Sequence, residues 1–97
     1  NWDVSNVIDM SYMFGSASNF NGNISSWNVS NVTEMLSMFY NATSFNQDIS
    51  NWDVSNVTNM LTIFDGADAL DDGNKCAIQI SFSTNLDWGY DWTGFCP

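Results

Sequence analysis

The sequence predicts an α/β repeat solenoid: three 25-residue strand–helix units closed by a disulfide-tied C-terminal cap. Three observations predict it. The phrase Trp-Asp/Asn-Val-Ser-Asn-Val opens at Trp2, Trp27 and Trp52, each 25 residues from the last. Within each unit, a pair spaced by two (Trp27 and Val29, Trp52 and Val54) gives way to a helix-like stripe: Val7, Met10, Phe14, Ala17; Val32, Met35, Phe39, Ala42; Val57, Met60, Phe64, Ala67. The only two cysteines, Cys76 and Cys96, lie beyond the repeats.

The expected solenoid runs 1–70, with units 2–26, 27–51 and 52–70, and the capping segment runs 71–97. The period-2 pair predicts a short strand. Ser30 or Asn31 is the expected N-cap of the helix after it, with Glu34, and Asp9 and Asn59 at the matching places, completing the first turn. Gly15, Asn41 and Gly66 are the expected stop signals, after which Phe20 with Ile24 and Phe45 with Ile49 lead back to the next Trp. One unit cannot close a core alone, so like residues should stack on like in a short rod. The expected ladders are Trp2, Trp27 and Trp52; Phe14, Phe39 and Phe64; and Asn6, Asn31 and Asn56, the last bonding backbone from one coil to the next. The methionines of the stripe fill gaps in the core.

Composition narrows the partners. The net charge is −10 and Lys75 is the only cation, so nothing can displace counterions from nucleic acid or bind an anionic membrane surface. No apolar run reaches the length of a membrane span, so membrane insertion is not expected. There is no initiator Met and no signal peptide, and we expect a processed product or a piece of a longer chain. Cys76 and Cys96 are expected to form a disulfide, since the chain has no histidine and structural zinc requires about four ligands. That points to an extracellular or cell-surface setting.

Residues 27–51 carry a resemblance. The run W-N-V-S-N-V-T-E-M with Phe45, Asn46, Asp48, Ile49 and Ser50 resembles the repeat of BspA-like leucine-rich-repeat surface proteins, also found in mycoplasma surface lipoproteins. The resemblance covers roughly residues 1–72. The segments Asn74–Ile78 and Tyr90–Trp92 resemble the end of such arrays. It implies units of leucine-rich-repeat type on a cell exterior, used in adhesion or protein contact, and it carries over no catalytic residue and no cofactor. The match to an ordinary leucine-rich repeat is loose, because the pattern's Asn would fall at Val57 rather than Asn56.

In the cap, Asp71 or Asp72 is expected to start a helix reaching Phe82, with an aromatic lid of Trp88, Tyr90 and Trp92 tied to it by the disulfide. The sharper alternative makes those three rings a sugar platform, with Asp87 and Asp91 bonding hydroxyls. Asp65, Asp68, Asp71 and Asp72 are the weak calcium candidates, although they lack the order of a known calcium loop. Of the N-x-S/T sequons, Asn41 is the best candidate for glycosylation. No histidine, nucleophile motif or phosphate loop supports an enzyme. The expected function is therefore a non-catalytic module that contacts a protein or matrix ligand. The alternative is a structural subunit that self-assembles through an uncapped N-terminal face of Trp2, Val4, Met10 and Phe14. A lesser alternative is carbohydrate binding by the lid.

Overall fold

The computed structural model describes residues 2–97. The expected boundary at Asn1 lies outside the described residues.

Each opening phrase folds as an Asx turn. Asp3 Oδ1 accepts the Ser5 N–H at 3.0 Å and the Ser5 hydroxyl at 2.6 Å. Asn28 does the same for Ser30, and Asp53 for Ser55. These short side chains mimic a backbone turn by bonding two residues on. They feed tight turns in which the amides of Val7, Val32 and Val57 donate to Val4, Val29 and Val54 at 2.9–3.0 Å.

The chain then runs through successive turns whose alternate amides face two ways. In the second unit, Met38, Tyr40 and Ala42 donate to Met35, Ser37 and Phe39, three residues back, at 3.0–3.2 Å. The amides between them, Met35, Ser37, Phe39 and Asn41, donate to Asn59, Leu61, Ile63 and Asp65 of the third unit at 2.8–3.0 Å. Likewise Met10, Tyr12, Phe14 and Ser16 of the first unit donate to Glu34, Leu36, Met38 and Tyr40 of the second at 2.6–2.9 Å. Along this stretch three coils are thus stacked by a ladder of main-chain bonds with a polarity: each coil offers carbonyls to the one before it and N–H groups to the one after it, while at the preceding turn the Thr33 and Thr58 amides donate the other way, to the Ile8 and Thr33 carbonyls, both at 2.8 Å. Isolated parallel bridges pair Asp9 with Glu34 and Glu34 with Asn59.

This corrects the expected fold class. The repeat contains neither the strand nor the helix of an α/β repeat solenoid, and no leucine-rich-repeat strand forms at Trp27–Val29 or Trp52–Val54. The physical cause is backbone handedness. Tyr12, Ser37 and Thr62 sit at φ +60°, +54° and +54°, and Ser16, Asn41 and Gly66 at +58°, +55° and +78°. A right-handed helix cannot pass through such residues. The inward residues still recur every three or four positions, because each tight turn advances the chain by three. Ser30 and Asn31 accordingly start no helix. Asn31 Nδ2 instead donates to the Ser5 carbonyl at 2.8 Å, and Asn56 Nδ2 to the Ser30 carbonyl at 2.7 Å.

The core lies inside the coils. Val32, Met35, Met38, Phe39, Ala42, Phe45, Ile49 and Ile63 are fully buried. The rings of Phe14 and Phe39 stack at 5.6 Å, and those of Phe39 and Phe64 at 5.3 Å, with Phe20 and Phe45 alongside at 6.0 Å. The extents of 35 × 30 × 22 Å are those of a block rather than a rod.

The C-terminal segment covers the third coil. Helix α1, Asp72–Phe82, is capped by Asp71, whose side chain accepts the Asn74 N–H at 2.8 Å. The disulfide Cys76–Cys96 ties α1 to the end of the lid, just past the short 3-10 turn Thr93–Phe95. Lys75 reaches over the lid, with its Nζ 4.5 Å from the Phe95 ring centre and 5.7 Å from that of Trp92.

Gly66 is the one glycine in the left-handed region. A Cβ there would overlap Asn41 Oδ1 and stand 3.2 Å from Asn41 Cα. Gly66→Ala should therefore lower stability by about 1–2 kcal/mol, the cost of a left-handed non-glycine residue, read as a lower urea midpoint at unchanged slope.

Candidate functional site

The two ends of the coil stack differ. At the N-terminal end the carbonyls of Asp9, Ser11, Met13 and Gly15 occupy the positions of Glu34, Leu36, Met38 and Tyr40, yet no amide among the described residues donates to them. Around this row the side chains are bare. Trp2 is 71% exposed, Ile8 61% and Tyr12 59%. Met13 is also exposed, whereas its counterparts Met38 and Ile63 are fully buried. Trp2 stacks on Trp27 at 6.3 Å, and the two border a cavity of about 350 Å³ with Phe14, Phe20 and Ile24.

The exposed set differs from the one expected. Val4 and Met10 are buried within the first coil and Phe14 is half-buried, so of that set only Trp2 stands in the open. Ile8, Tyr12 and Met13 were not singled out by sequence reasoning, although a signal was present. Ile8 stands where the other units have Thr33 and Thr58, and Tyr12 where they have Ser37 and Thr62. The first unit replaces small polar residues with large apolar ones at two of its outermost positions.

The Trp column is graded. Trp52 is 3% exposed, with Nε1 donating to the Ile24 carbonyl at 3.1 Å, Trp27 is half-buried, and Trp2 is open. In the Asn column, Asn31 and Asn56 bond the preceding coil, while Asn6 is exposed at the end of the stack.

At the C-terminal end, Trp88, Tyr90 and Trp92 are half-buried and turned inward, with ring centres 5.4–6.3 Å from Phe64. Trp88 and Trp92 meet edge to face at 86°, so the rings make a lid on Phe64 and not one flat surface. Gln79 holds the lid, its Oε1 accepting Trp88 Nε1–H and the Trp92 N–H, both at 2.9 Å. Tyr90 closes the coil edge: its hydroxyl accepts the Phe64 N–H at 3.0 Å and donates to Asp65. The candidate calcium ligands are spread among other roles, Asp65 on Tyr90 and Asp71 as the cap of α1. Among the described residues, no three His, Cys, Asp or Glu side chains are grouped to hold a metal ion. Asn41 is exposed at its coil corner, packed over Gly66.

A family model described as "Mycoplasma protein of unknown function, DUF285" matches residues 1–86. The chain belongs to the DUF285 family. The match spans all three coils and α1 and ends just before the lid. No curated protein and no solved structure matches this DUF285 chain. No helix among its described residues is long and apolar enough to cross a membrane.

Burial, and then the hydrogen bond to Asp65, push the Tyr90 phenol of this DUF285 protein well above its ordinary value of 10.0. The neutral phenol therefore favours the folded state. Its contribution is full below about pH 10 and is lost as pH rises beyond that. Tyr90→Phe should cost about 0.5–1.5 kcal/mol near neutral pH, the worth of one hydrogen bond, and should flatten the alkaline loss of stability expected in urea melts from pH 8 to 11. The exposed carboxyls of Asp3, Asp9 and Asp91 are held below their ordinary value by side-chain and then backbone bonds from Ser5, Ser11 and Thr93, so their small contribution fades only in acid.

Proposed function

We propose that this DUF285 chain is a non-catalytic contact module that docks a protein or matrix ligand on the N-terminal end of its coil stack, outside the cell or at its surface. The observation that carries the reading is the pair Ile8 and Tyr12. Two large apolar side chains stand open at positions where the other coils have Thr or Ser. Exposed apolar patches of this kind mark interaction sites, and Tyr and Trp are the side chains most often found as binding anchors. The open carbonyls of Asp9, Ser11, Met13 and Gly15 add main-chain acceptors beside the patch. The extracellular setting is supported by the disulfide and by the repeat's resemblance to BspA-like surface proteins.

The double variant Ile8→Thr/Tyr12→Ser tests this with little risk to folding, because it gives the first coil the residues of the other two. The native chain should bind intact cells or deposited matrix saturably. The variant should lose about tenfold or more in affinity, as expected for removing an anchor. Equal binding by the two, or no saturable binding by either, would refute the reading.

A second reading, self-assembly through the same face, is favoured by the polarity of the ladder. The N-terminal end offers carbonyls and the C-terminal end N–H groups, which suits head-to-tail stacking. Against it, the lid covers Phe64, and its Tyr90 hydroxyl already takes the Phe64 N–H. Sedimentation separates the readings. A mass that grows with concentration, and stops growing in the double variant, supports assembly. A monomer at high concentration removes it.

A further inference from the structure

The C-terminal edge of the third coil is only partly closed. By the polarity of the ladder, the amides of Met60, Thr62, Phe64 and Gly66 match those of Met35, Ser37, Phe39 and Asn41, which bond a following coil. Tyr90 takes Phe64. The Met60 and Thr62 amides have no acceptor among the described residues and border a cavity of about 400 Å³ between the coil edge and the lid. That volume is within the roughly 300–1,000 Å³ of ligand pockets.

We propose that this edge is a second binding site, distinct from the N-terminal face, which takes a short extended peptide segment of another protein carrying a basic side chain. The geometry specifies the backbone of the ligand. Two N–H groups at alternate residues select two carbonyls at alternate residues. The chain makes this pairing itself, from Met35 and Ser37 to Asn59 and Leu61 at 2.9 and 3.0 Å. Such edge addition uses main-chain bonds for affinity and side chains for selection. Tyr90 ends the row after two donors, so the bound segment is short.

The charge specifies the side chain. Asp65 and Asp87 line the cavity, and no group among the described residues donates to the Asp87 carboxylate. With a net charge of −10, an anion is repelled from these amides and a Lys or Arg is drawn to Asp87. Leu61, 67% exposed beside the cavity, offers apolar contact to a neighbouring side chain.

Titration of the ¹⁵N-labelled chain with acetyl-Val-Lys-Val-Thr-amide, and with the same peptide carrying Glu for Lys, tests the site. The Met60 and Thr62 amide signals should shift saturably with the Lys peptide and exchange more slowly with solvent. Asp87→Asn, at an exposed position without a partner to lose, should weaken binding about two- to fivefold, the worth of an exposed ion pair. The Glu peptide should bind more weakly than the Lys peptide. Absence of saturable shifts at Met60 and Thr62, shifts confined to Trp2, Ile8 and Tyr12, or equal binding of the two peptides would overturn the proposal.

Discussion

Trp52→Ala should lower the unfolding free energy by about 3–5 kcal/mol, the range for truncating a large core side chain. A domain of this size has about 5–15 kcal/mol in total, so the variant stands at the edge of folding. Trp52 is enclosed, lies 6.3 Å from Phe39, and donates from Nε1 to the Ile24 carbonyl, which truncation leaves without that donor. The same change at Trp27, half-buried against Trp2 and Phe14, should cost about 1–2 kcal/mol, roughly half of a full burial. Trp2→Ala should stay within about 0.5 kcal/mol, as at other surface positions. Urea midpoints at constant slope give all three. The gradient is the informative result, because it follows the falling burial of the column from Trp52 through Trp27 to Trp2. Equal losses at Trp27 and Trp52 would mean that something covers that end.

The disulfide has the second large effect. Cys76→Ser/Cys96→Ser should cost roughly 3 kcal/mol, from a cross-link spanning 20 residues. The loss should be local before it is global. The bridge holds the lid to α1, and the lid covers Phe64. Release should expose Trp88 and Trp92, shifting Trp emission to the red before the coils melt. It should also remove the alkaline loss of stability that Tyr90 confers. A double variant within about 1 kcal/mol of the native chain, with unchanged emission, would mean that Gln79 and Lys75 hold the lid without the bridge.

These effects rest on features that the sequence revealed unevenly. The 25-residue period, the inward stripe and the two cysteines could be read directly. The conformation between them could not. A helix and a run of three-residue turns bury side chains at nearly the same spacing, so Val32, Met35, Phe39 and Ala42 read the same in both. What distinguishes them is the left-handed backbone at Tyr12, Ser37 and Thr62, residue types that carry no such preference. Asn41 and Gly66 do carry it, but the same residue types also end helices, so they do not separate the two conformations. The D/N-x-S triplets were a second clue, since Asp3, Asn28 and Asp53 close Asx turns that compete with a helix start. At the candidate site, Trp2 was legible from its place at the end of the ladder. Ile8 and Tyr12 become visible only when each unit is compared with its neighbours at the positions facing outward, and the coil polarity that defines those positions needs the hydrogen bonds.

Both binding proposals depend on that polarity, in which alternate amides of each coil bond the next coil rather than their own. Scalar coupling across hydrogen bonds reports it directly in the labelled chain. Coupling is predicted from the Phe39 amide nitrogen to the Ile63 carbonyl carbon, and from Ser37 to Leu61, with none from Phe39 to the Met35 carbonyl. A Phe39–Met35 coupling in place of Phe39–Ile63 would restore a helix to the repeat and contradict the account.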